Sequence, residues 1–291
     1  MTRTYELHPD PPSRMTWDEY EQRVVAEWAA LLDSDEGCEE PSIHKFLVQH
    51  PSMIPGAHGI GPVASGHSPL PWAVLSESPL SGVGMKIPDF IWLALDSSNF
   101  TPVFIEIESP CKRWFTEAEV PTSELTQAVN QLAQWRAWLN RPENLAVFYT
   151  SFEIPDDIRT QLTFRPEFVL IYGRRREFDE RPQLKRLRDQ FSREDQEVMT
   201  FDRLRPDREC RYYLSATKRY GPYRALAVPA TMAIGPSVAR SLARIDRVAE
   251  AIQENAWISE ERRRFLIGRI PYWNSWARNP DRGFVHAGDW E

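Results

Sequence analysis

Apolar residues recur at three- to four-residue spacing in Tyr20, Val24, Trp28 and Leu31, the stripe of an amphipathic helix. Thr16 with Glu19 three residues on reads as its capping box. An acidic linker over 33–41 follows. A shorter helix over 43–49 begins at Ser42 and is stopped by Pro51. Residues 51–71 are rich in Gly, Pro, Ser and His and form a loop of about 20 residues, a length that marks a functional or a mobile segment. From Pro71 the pattern changes to short apolar runs, predicting strands over 72–75, 87–95 and 102–108. In the third strand Val103, Ile105 and Ile107 face one way, while Phe104, Glu106 and Glu108 face the other. Leu125, Ala128, Val129, Leu132, Trp135 and Leu139 make one stripe of a helix running from Thr122 to about 139. Runs at 145–149 and 168–172 predict two more strands. The charged stretch 176–206 reads as partly helical, and 221–236 as a proline-punctuated loop. Residues 238–253 read as helix, and Ser259 as the cap of another reaching about 267. Helix, strands, helix and further strands make a mixed α/β core.

The bulk numbers fit one sizeable core: 291 residues, 42% hydrophobic, with 11 tryptophans. No apolar run approaches the length of about 18 residues that a membrane span needs, and the N-terminus lacks a signal-peptide core, so a cytoplasmic protein with no membrane partner is expected. Cys38, Cys111 and Cys210 are scattered and read as free thiols of a reducing compartment. The net charge is −7, but residues 1–40 carry 11 acids and 3 bases, a net of −8, which leaves +1 on the rest. Residues 173–188 hold seven bases, among them Arg174, Arg175, Arg176 and Lys185, a patch able to bind phosphate. The C-terminal Trp257, Trp273 and Trp276 beside arginines suit either base stacking or helix packing on the core.

The chemistry concentrates between 87 and 135. Asp89 opens one strand, and Glu106 and Glu108 sit two apart on the next, both on one face. Placing two like charges side by side on a buried strand costs several kcal/mol unless something positive lies between them. A divalent cation is the simplest such partner. The competing reading puts both glutamates at an exposed sheet end, paired with Lys112 and Arg113. His58 and His67, in the long loop, have no partners at ligand spacing.

The ordered set Pro88-Asp89-Phe90, Glu106-Ile107-Glu108-Ser109-Pro110, and Ala128 with Gln131 and Trp135 resembles the Shedu family of anti-phage defence nucleases, within the PD-(D/E)XK superfamily. Ile43-His44-Lys45-Phe46-Leu47 resembles the family's short helix before the core. Leu170 to Arg175 and Thr200 to Leu204 resemble its later strand and closing motif. The resemblance implies a restriction-endonuclease-like mixed sheet flanked by helices over 41–206, with an acidic helical extension over 1–40 and a helical, aromatic-rich region over 207–291. It implies Mg²⁺ (or Mn²⁺) held by Asp89, Glu106 and Glu108, support from Gln131, DNA as substrate, and a homo-oligomer. Glu108 departs from the pattern, since a lysine is usual there. A second metal replacing the ammonium, Lys112 reaching in from the loop, and a retired DNA-binding domain all fit that change.

Overall fold

Nine strands among the described residues join in one mixed sheet, with helices on both faces. The computed structural model describes residues 3–61, 66–279, 283, 285–286 and 288–291. The chain begins with α1 (Trp17–Leu32) and α2 (Glu40–Gln49), then β1 (Leu70–Ser76), β2 (Phe90–Leu95) and β3 (Asn99–Ile107). Three helices follow: α3 (Ser123–Leu139), α4 (Pro142–Ser151) and α5 (Asp156–Gln161). Next come β4 (Thr163–Phe164), β5 (Glu167–Ile171), α6 (Arg176–Glu180), α7 (Leu184–Asp189) and β6 (Gln196–Met199). The last part holds β7 (Leu214–Thr217), β8 (Tyr223–Ala227), α8 (Pro236–Leu242), β9 (Ile245–Asp246), α9 (Val248–Glu254) and α10 (Glu260–Arg278).

The spatial order is β6-β5-β3-β2-β1-β7-β8-β9, with β4 beside the start of β3. β1, β2 and β3 form an antiparallel meander, and β5 and β6 continue it in parallel with β3. The alternation read in β3 sorts the two faces. Val103, Ile105 and Ile107 pack with Trp92, Val169 and Ile171 beneath α1 and α2, which contribute Tyr20, Val24, Trp28, Ile43 and Leu47. Phe104 packs on the other face against Trp135 and Leu132 of α3 and Phe148 of α4. The predicted capping box is present: Glu19 N–H donates to Thr16, and the Glu19 carboxylate accepts the Thr16 N–H.

Four expectations are corrected. Residues 145–149 are not a strand but the middle of α4, which Pro142 starts in a position where its missing N–H costs nothing. The region 207–291 is not simply helical, because it adds β7, β8 and β9 to the same sheet, with β7 parallel to β1. The single helix expected over 238–253 is split into α8 and α9 by β9 and a left-handed Arg247 at φ 63°. Cys38 and Cys111 are not free thiols: they form a disulfide, while Cys210 is free and buried. Within the charged stretch, β6 forms where the residue pattern carries no strand signal. Trp273 and Trp276 are buried against Tyr5, which settles packing over base stacking for them. Among the described residues no helix is long and apolar enough to cross a membrane.

Candidate metal and catalytic site

The hairpin between β1 and β2 brings the first acid to its place. Leu80 pairs with Lys86 across it, and Glu77 N–H donates to the Asp89 carbonyl oxygen at 2.9 Å. Asp89 therefore stands one residue before β2, whose Phe90 lies opposite Ile105. That register aims the Asp89 side chain at the end of β3, where Asp89 Oδ2 accepts the Ile107 N–H at 2.7 Å.

Glu106 sits between β2 and β5 on the face that α3 covers, and it is 8% exposed. Gln131, one turn before Trp135 on α3, donates Nε2 to Glu106 Oε1 at 2.5 Å. Glu106 Oε2 is buried and has no partner of ordinary hydrogen-bond geometry, but the Asp89 carboxyl neighbours it, so a proton on Glu106 has Asp89 to point to. Burial first, then the charges of Asp89, Glu108 and Glu40, hold the Glu106 carboxyl well above the usual carboxylate range. Asp89 is raised as well, chiefly by burial, against the Ile107 N–H that favours its charged form.

Glu108 continues the extended chain, its N–H bonded to the Ile171 carbonyl oxygen at 3.0 Å. Its side chain is ion-paired with Lys112. The loop carrying Lys112 presses onto Gly173, where φ is +59° and a Cβ would stand 2.7 Å from the Lys112 carbonyl oxygen. Arg113 pairs instead with Glu117, and Lys86 donates to Gln134 Oε1 at 2.6 Å.

Two further residues at the site went unread in the sequence. Glu40, in the first turn of α2, is a charge neighbour of Asp89, Glu106 and Glu108. His44 stacks on Phe90 with ring centroids 4.8 Å apart, meets Ser76 Oγ at 3.2 Å and hydrogen-bonds the Asp89 backbone. Burial holds His44 below the ordinary imidazole value. The available signal was their i, i+4 spacing, which puts both on one face of α2.

Among the described residues no three His, Cys, Asp or Glu side chains converge as a complete cage. Asp89 and Glu106 face one another, and Glu108 is turned to Lys112. Asp89 and Glu106 are the residues that could hold a hard divalent cation, which takes one or two carboxylates with waters completing its shell.

The basic run divides. Arg174 is committed internally, donating Nε to Asp202 Oδ1 at 2.9 Å and Nη1 to the Leu32 carbonyl oxygen at 2.6 Å, with Nη2 on Asp33. Those bonds hold the guanidinium in place within the fold, although Arg174 also lines the basic cleft beside Arg176. Arg175 pairs with Asp179 but stays exposed. Lys185 is exposed on α7. Arg176 is exposed on a cleft of about 560 Å³ that Lys112, Arg113 and Arg181 also line.

A search of curated proteins finds no match to the chain. A family model described as Shedu protein SduA, C-terminal, matches residues 37–204, a segment that holds every acid of the site, Gln131 and the basic run.

Proposed function

Because this chain belongs to the Shedu family, we propose that it is a metal-dependent DNA endonuclease of anti-phage defence, with Asp89 and Glu106 holding Mg²⁺ or Mn²⁺ beside Glu108. The observation that carries the reading is the buried Glu106 carboxyl, crowded by Asp89, Glu108 and Glu40 and held through Oε1 by Gln131. A divalent cation there would lower the pKa of a water for attack on a phosphodiester and offset charge at the leaving oxygen.

The chain's own groups prepare that chemistry. Gln131 fixes Glu106 through Oε1. The Ile107 N–H orients Asp89. Lys112 brings an ammonium to the cluster from the loop, and Glu108 holds it there. Arg175, Arg176 and Lys185 are exposed cations for backbone phosphates.

The test is incubation with linear and supercoiled DNA in Mg²⁺, in Mn²⁺ and in EDTA. Wild type cuts in either metal and not in EDTA, and Glu106→Ala does not cut. Absence of cutting by wild type in both metals, or full activity in Glu106→Ala, overturns the reading. The Glu108–Lys112 pair favours a second reading, a nuclease fold that retains DNA without cleaving it. That form holds DNA in EDTA, falls off steeply with salt, and gains no cleavage from metal.

A further inference from the structure

The disulfide lies against the carboxylate cluster. Cys38 precedes Glu40 by two residues, and Cys111 lies between Glu108 and Lys112. Their Cα atoms are 5.2 Å apart across 73 residues of sequence. Both cysteines are exposed, so reductants reach them. Ser109 stitches the same two segments. Its Oγ donates to the Cys38 carbonyl oxygen at 2.7 Å and accepts the Cys111 N–H at 3.1 Å.

What the bond restrains is plain from its neighbours. Glu40, in the first turn of α2, and Glu108, at the end of β3, carry like charges that act on one another across the joint the disulfide closes. The segment from Ser34 to Glu39 is a short 3-10 turn tied to the end of α1 through Ser34 and the buried Gly37, while Asp35, Glu36 and Glu39 are exposed, so its tie to the end of β3 runs through the disulfide and Ser109. With the bond closed, the α2 N-terminus is held against the end of β3 despite that repulsion. With the bond open, the non-covalent tie through Ser109 is left, and the α2 N-terminus can part from Glu108 whenever that hydrogen bond breaks.

We propose that Cys38 and Cys111 form a reversible thiol–disulfide modification site that sets the divalent-cation affinity of the neighbouring acids, the disulfide form binding more tightly. The inference rests on the cation-site reading of Asp89 and Glu106. The reacting partner is a dithiol reductant. Its thiolate attacks one sulfur of the pair, the S–S bond breaks, and the other cysteine leaves as a thiolate. The reductant's second thiol attacks the mixed disulfide, frees the second cysteine, and closes the reductant's own disulfide. Two electrons pass to the cysteines, and the two protons given up by the reductant end on the two thiols. An oxidised dithiol runs the same steps backwards.

The experiment titrates Mn²⁺ into the full chain by calorimetry in three states: oxidised, reduced with dithiothreitol and desalted without air, and carrying Cys38→Ser with Cys111→Ser. Peptide mapping without reductant reports the bond, and hydrogen exchange reports residues 36–41. Reduction is expected to weaken Mn²⁺ binding roughly tenfold, the low end of what loss of a supporting group costs a metal site. Exchange at 36–41 is expected to speed up, and the double variant to match the reduced chain in either buffer. If reduction frees both thiols and affinity stays within about twofold, the redox inference falls and the cation site stands. The redox inference falls equally if the oxidised chain shows no Cys38–Cys111 link. If the oxidised chain binds no Mn²⁺ at all, the cation-site reading falls and takes this inference with it. Hydrogen exchange on wild type keeps the test decisive should the double variant fail to fold.

Discussion

Replacing Glu106 with Gln removes one ionisable group from the most crowded point of the acid cluster. The wild-type carboxyl is 8% exposed and lies among Asp89, Glu108 and Glu40. In the folded chain it therefore keeps its proton far above the ordinary value of 4.5. In the unfolded chain it loses that proton near 4.5. The folded state then binds more protons than the unfolded one, so stability falls as pH rises above the unfolded value. At about 1.4 kcal/mol per pH unit, the loss between 4.5 and pH 7 is about 3 kcal/mol. Gln cannot ionise and escapes that loss. Its Oε1 still accepts from Gln131, and its amide can donate toward Asp89. Urea unfolding in EDTA should show Glu106→Gln more stable than wild type by about 2–3 kcal/mol at pH 7, with the two converging near pH 4.5. Added Mn²⁺ should then stabilise wild type and leave the variant unmoved. A variant no more stable than wild type at pH 7, or a gap that does not close toward acid, would refute the electrostatic account of this site.

Four other outcomes follow from the same geometry. Gln131→Leu strips the hydrogen bond from Glu106 Oε1 and should cost about 1–3 kcal/mol in urea unfolding while weakening Mn²⁺ binding. Arg176→Ala should leave stability within about 0.5 kcal/mol of wild type and flatten the salt dependence of DNA binding by about one unit of slope. Arg174→Ala should do the reverse, lowering thermal stability with the slope intact, since its partners are Asp202 and Leu32. Opening the Cys38–Cys111 bond releases a loop of 73 residues and should lower stability by up to about 4 kcal/mol, read from urea midpoints with and without reductant.

How much could be read beforehand depended on how local each signal was. β3 was legible because one face is packed on α1 and α2, so its alternation of Val103, Ile105 and Ile107 carried the period of a strand. The cap at Thr16 and the stripe from Leu125 to Leu139 were equally local. Residues 145–149 misled because a short apolar run suits a strand or a buried helix alike, and Pro142 was the cue that decides for helix. β7, β8 and β9 have only two to five residues each and borrow their stability from β1, so their own sequence says little. Asp89, Glu106 and Gln131 were readable from their order along the chain. Glu40 was not, because α2 must fold back onto the sheet before its first turn meets Glu108. The cysteine pairing is equally non-local, spanning 73 residues.

The pairing of β7 with β1 bears on how this protein can be taken apart. Ala73, Val74 and Leu75 face Leu214, Ser215 and Ala216 across that ladder. The family-matched segment ends at Leu204, before β7 begins. Cut there, the meander would end on β1 with a row of open backbone donors and acceptors and fully buried apolar side chains on both faces. Such an edge recruits strands from other molecules and drives aggregation. Removing residues before 37 would also lift α1 off Trp92 and Ile105. The stretch beyond Leu204 is what keeps this sheet from borrowing a stranger's strand.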